Sequence, residues 1–212
     1  DLHAGHPHPA RDHRRVLVVG ADPEPGENGS ASLRVFGDGS VSIGRGASSD
    51  HASLGRAGAA EGTLDITGPD ATWLGNVHVG GGDDFLGGRG RLIVSAGATP
   101  SGNLDVALNN DAYGEVLLTD PGTHWNASRV GLGRRGNGSQ TNATLHIENG
   151  AVLSVADFAA ALDADAVAEV AVAGPAAELA VQSNFGSAGL GVGGSAQFDV
   201  RDGGTLSIVD TR

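Results

Sequence analysis

The sequence predicts an all-β chain: a single parallel β-helix, or β-solenoid, of about eight coils with an extended N-terminal arm. Three observations carry this. Glycine supplies 36 of 212 residues while aromatic residues make up only 4%. The chain repeats itself at a step of 52–54 residues. Within each repeat, apolar residues recur at every second position, the period of a strand.

The glycine share is about 17%, against an ordinary share of roughly 7%. With only 8 prolines, the two together stay below the range of disordered chains. Glycine has no three-residue period, which excludes collagen. No apolar run approaches the roughly 20 residues of a membrane-spanning helix, so no such span is expected. A core poor in aromatics must be built from Val, Leu, Ile and Ala, which suits thin stacked layers.

Two kinds of unit alternate. The A units are Leu64–Trp73, Val116–Trp125 and Val170–Leu179, which align without gaps. Each carries proline at its sixth position: Pro69, Pro121 and Pro175. The B units begin at Leu92, Leu145 and Phe198, 53 residues apart each time, and a weaker copy begins at Leu33. Their turns, Asp38-Gly39, Asn149-Gly150 and Asp202-Gly203, place glycine where positive φ is needed. A further strand follows each A turn, at Val77/Val79/Gly80, Val130/Leu132/Gly133 and Leu190/Val192/Gly193.

Two to three strands in about 26 residues make one coil, which buries its apolar face only by stacking on neighbours. Anchors at Val16, Leu33, Leu64, Leu92, Val116, Leu145, Val170 and Phe198 set the coil count. The predicted inward positions are Leu64, Ile66, Leu92, Val94, Val116, Leu118, Leu145, Ile147, Val170, Val172, Phe198 and Val200. The Ala-rich stretch 156–172 has helical composition, but its place in the repeat assigns strand and loop. Residues 1–15 form a separate His-rich arm, and residues 16–212 form the solenoid domain.

Over residues 63–208 this pattern resembles the repeats of autotransporter (type V secretion) passengers and PEP-CTERM-associated proteins. The resemblance rests on the recurring Trp73 and Trp125, the Leu-x-Val-Gly strand and the Asn-Gly turn. The third A unit departs from it with Leu179. The resemblance implies a parallel β-helix displayed outside a bacterial cell, in adhesive or structural roles more than catalysis. It assigns no catalytic residues.

Thirteen basic against 25 acidic residues give a net charge of −12, which speaks against nucleic acid and anionic membranes as partners. Without cysteine there is neither a disulfide framework nor a thiolate metal site. His3, His6, His8 and His13 cluster in the arm, and imidazoles at such density suit Cu, Ni or Zn. The competing reading of these histidines is a flexible polar leader. Gly80–Gly88, with Asp83 and Asp84, is similar to one calcium-binding nonapeptide repeat, but one copy offers too few oxygens for the ion. Asp83/Asp84 and Asp163/Asp165 are compact acidic pairs of the kind glycoside hydrolases use, or charges that keep their loops soluble. Asn28, Asn126, Asn137 and Asn142 match the glycosylation sequon, a match that this composition produces often. Trp73 and Trp125 read as stacked packing, with a sugar-binding platform as the alternative.

The expected function is that of an extracellular structural subunit, not an enzyme, that joins itself head to tail into a surface filament or matrix. The predicted interface comprises Val16 and Val18 at the head and Leu206 and Ile208 at the tail. From Phe198 through the tail to Val16 of a following copy is 30 residues, close to the internal B-to-A steps of 24–31. Extracellular polysaccharide is a further expected partner. The alternatives are an adhesin passenger fragment that binds surfaces or glycans, and a polysaccharide-active β-helix enzyme.

Overall fold

The computed structural model describes residues 16–20, 29–43, 51–56, 58–81, 87–134, 140–183, 189–191 and 193–210. Among them the chain forms eighteen strands, numbered β1 to β18 along the sequence, and no helix. All the strand pairs are parallel. The strands wind as a β-solenoid of about six turns with three faces.

The first face stacks β2 (Ser30–Phe36), β5 (Glu61–Thr67), β8 (Arg89–Ser95), β10 (Tyr113–Leu118), β12 (Thr141–Glu148), β14 (Ala166–Ala173) and β17 (Ser195–Arg201). The second face stacks β3 (Ser40–Ser42), β6 (Thr72–Leu74), the first parts of β11 (His124–Leu132) and β13 (Val152–Ala160), β15 (Glu178–Ser183) and β18 (Thr205–Asp210). An isolated bridge through Ser101 fills the gap between β6 and β11. The third face stacks β1 (Val16–Val19), β4 (His51–Leu54), β7 (Asn76–Val79), β9 (Leu104–Val106), the later parts of β11 and β13, and β16 (Gly189–Leu190).

The A and B units stack in register on the first face. Leu33, Leu64, Leu92, Val116, Leu145, Val170 and Phe198 form one column, and Val35, Ile66, Val94, Leu118, Ile147, Val172 and Val200 the next. From Leu64 through Val172 every predicted inward residue is fully buried. The two at the end differ: Phe198 is half-buried and Val200 is 43% exposed. Both lie in the same inward columns, but among the described residues β17 is the last strand of its face and has a neighbour on one side only.

The coil count also needs correcting. Val16 is one of the eight expected coil anchors, yet β1 pairs with β4 on the third face, Val16 opposite His51, while the other seven lie on the first face. Seven first-face strands remain, which is six steps. The third-face alignment shifts as well. Leu190 pairs with Ala160, and Gly191 has the positive φ of Gly80 and Gly133, so Leu190-Gly191 takes the place expected for Val192-Gly193. The Ala-rich stretch 156–172 contributes to β13 and β14, as the repeat required.

The double period has a physical origin at the corner between the first and second faces. Pro69, Pro121 and Pro175 alternate there with Gly97, Gly150 and Gly203. A Cβ placed on Gly97 would lie 3.4 Å from Pro69, and one on Gly150 would lie 3.5 Å from Pro121. That is ordinary van der Waals contact, so the corner is set less by space than by the positive φ of Gly97 and Gly150, which favours glycine. Ala96-Gly97 and Asn149-Gly150 both have positive φ at both residues and close with Ala98 N to Ser95 O (3.2 Å) and Ala151 N to Glu148 O (3.0 Å). That is the primed-turn geometry for which Asn-Gly is favoured.

Candidate functional site

The structure places the residues singled out in the sequence as follows. His3, His6, His8, His13, Asp83, Asp84, Asn28 and Asn137 lie outside the described residues. Among the described residues no group of three or more His, Cys, Asp or Glu is arranged to hold a metal ion. Asp163 is half-buried and Asp165 exposed in the turn between β13 and β14. Asn126 and Asn142 are exposed on strands. Trp73 and Trp125 are buried on the second face, which removes them as a sugar-binding platform. They lie two rungs apart with the buried Pro100 at the rung between, because Leu74, Ser101 and Asn126 bridge in succession. Their indole N–H groups donate to Gly75 O (3.1 Å) and Gly102 O (2.8 Å), so neither polar atom is left unpaired.

A polar ladder that the sequence reading passed over runs along the outward side of the third face. Ser53, His78, Asp105 and Gly131 are register partners on successive strands. Arg129 Nη2 donates to both Asp105 carboxylate oxygens, at 3.1 and 2.8 Å. His78 Nε2 stands 3.6 Å from Asp105 Oδ2, and the His51 ring stacks on His78 at 4.0 Å. Gly131 makes room for the carboxylate, since a Cβ there would lie 2.9 Å from Asp105 Oδ1. Beside this column, Asn76 Oδ1 accepts from Asn103 N and Asn103 Oδ1 from Arg129 N, each at 3.0 Å. Ser, His and Asp in one column have the composition of a nucleophilic triad. Ser53, however, is fully buried and its hydroxyl donates to Gly81 O at 2.7 Å, which ties the strands together rather than exposing a nucleophile. The signal that would have found the ladder is the position of His78 and Asp105 between core pairs, Val77/Val79 and Leu104/Val106.

The two ends of the rod are the other site. At the C-terminal end, β17 and β18 each have one paired edge, toward β14 and β15. Ile208 is 55% exposed there, while Val181, the same position one rung inward, is 2% exposed. Leu206 is half-buried. At the N-terminal end, β1 and β2 are the outermost strands of their sheets and Phe36 is 65% exposed. Leu17 and Val19 align with the buried apolar Ala52 and Leu54, whereas Val16 and Val18 align with the buried polar His51 and Ser53. Val18 is half-buried opposite Ser53. No family model, curated protein or solved structure matches the chain.

Proposed function

We propose that the protein is an extracellular structural subunit whose solenoid continues end to end from one copy to the next, forming a filament or matrix. One observation carries this reading: the two ends are stepped in complementary ways. Among the described residues, the last coil holds a first-face strand, β17, and a second-face strand, β18, with no third-face strand after β16. The other end leads with a lone third-face strand, β1, ahead of β2 and β3. Set on the tail of a neighbour, β1 supplies the strand that the last coil lacks.

Because every pairing along the rod is parallel, a copy added this way keeps the same polarity. A contact between unlike ends does not close on itself and propagates as a filament. Unpaired strand edges supply the backbone donors and acceptors for it, and the exposed Val200 and Ile208 supply apolar area. The resemblance of the repeats to exported solenoids supports the placement outside the cell. Electron microscopy and sedimentation of the purified full-length chain test the reading. Unbranched rods one solenoid wide that lengthen with concentration are expected. A monomer that persists at high concentration would overturn it.

A further inference from the structure

Resting on that end-to-end reading, we infer that a second copy docks in a single register, with Asp199 of the tail beside Arg34 of the next head and Gln197 beside Ser32. The register follows from the columns already present. Residue by residue, Phe198 continues the column that begins at Leu33, and Val200 the column that begins at Val35. On the second face, Leu206 continues the column of Leu179, Leu153 and Trp125. The bridges through Ser101 link this column to Trp73, which pairs with Val41. Ile208 then falls opposite Ile43, two residues on. Each of these first- and second-face inward positions thus meets an apolar partner.

The outward positions match in charge. Arg34 pairs with Asp65 on its inner neighbour, at 3.1 Å, and lies on β2, the outermost strand of its face among the described residues. The column that starts Arg34, Asp65 ends at Asp199. Asp199 already accepts from Arg201 of its own strand at 2.7 Å, and stacking the tail on the head sets Arg34 between two carboxylates, Asp199 and Asp65. In the neighbouring column Arg201 meets Phe36, the ring over which Arg34 already lies at 5.7 Å. The corner also fits. The tail corner is Asp202-Gly203 and the head corner Gly37-Asp38, so no proline ring meets another.

The chain has no cysteine, so an engineered pair reports the register cleanly. Ser32 and Gln197 are exposed in one column, six steps apart within a copy, or about 29 Å at the parallel-strand spacing. Across the joint they would be one step apart, within disulfide reach. Ser32→Cys with Gln197→Cys is expected to give, on oxidation, a ladder of multiples of 21.1 kDa on a non-reducing gel. Ser32→Cys with Arg201→Cys, four residues out of register, is expected to give none.

A charge swap keeps the inference falsifiable if cysteine disturbs the strands. Asp199→Arg and Arg34→Glu, each alone, should raise the concentration needed for assembly about tenfold, and a 1:1 mixture should restore it by alternation. If the unsubstituted chain stays monomeric, the end-to-end reading itself fails. If it assembles while the in-register pair gives no ladder or the mixture no rescue, the reading stands and this register is overturned.

Discussion

Adding one methyl group at Gly90 should destabilise the protein even though alanine is the better strand residue. Gly90 sits in an inward column of small residues, Ala31, Gly62, Gly90, Gly114, Ala143, Ala168 and Ala196, where the third face turns back into the first. A Cβ on Gly90 would lie 2.1 Å from Gly80 N, 2.7 Å from Leu54 O and 2.7 Å from Val79 C. All three atoms are backbone, so relief requires moving strands rather than turning a side chain. Propensity alone favours Gly90→Ala by about 0.5–1 kcal/mol. Overpacking costs about 1–3 kcal/mol, and contact with a rigid backbone places this case near the upper end, so the net loss is about 2 kcal/mol. Urea unfolding followed by circular dichroism measures it. The reverse change, Ala143→Gly in the same column, should cost about 1–2 kcal/mol through lost burial and added chain entropy. If Gly90→Ala raised the midpoint, the close approach of the two faces at this corner would be refuted.

Trp125→Ala empties the second-face core between Pro100 and Leu153 and should cost about 3–5 kcal/mol in the same unfolding assay. Arg129→Met leaves the Asp105 carboxylate, whose side chain is 5% exposed, without its cationic partner. A loss of about 1–3 kcal/mol is expected, recovered in part by Asp105→Asn in the same chain. Ile208→Lys should leave the unfolding midpoint within about 0.5 kcal/mol, because the site is exposed, while reducing assembly in sedimentation. Loss of stability with assembly unchanged would reverse the assignment of that surface.

The first face was legible because strand periodicity and repeat alignment reinforce one another there. Leu92 and Leu145 are both alternating and repeated, and a one-residue slip would turn the column outward. Corner chemistry was largely plain, since proline and Asn-Gly each impose a particular turn, but at the first corner the positive φ falls on Gly37 and not on the expected Gly39, so the turn is Gly37-Asp38. The third face was harder. Its strands are short and the connections before them vary, so the repeat spacing points to Val192-Gly193 where Leu190-Gly191 holds the place. Val16 likewise begins an alternating run, and only its pairing with His51 shows which face it joins. The exposure of Val200 follows from its place in the last coil rather than from its residue type. The ladder of His78, Asp105 and Arg129 depends on register between strands about 25 residues apart, which single residues in a sequence do not advertise.

Cryo-electron microscopy of the assembled full-length chain tests the central claim most directly. Seven first-face strands per copy, stacked without a break at about 4.8 Å, give an axial rise of about 34 Å per subunit, with β1 of each copy completing the last coil of its neighbour. Continuous parallel rungs across every joint at that rise are the predicted result. Subunits joined side by side, or head to head about a two-fold axis, would contradict it.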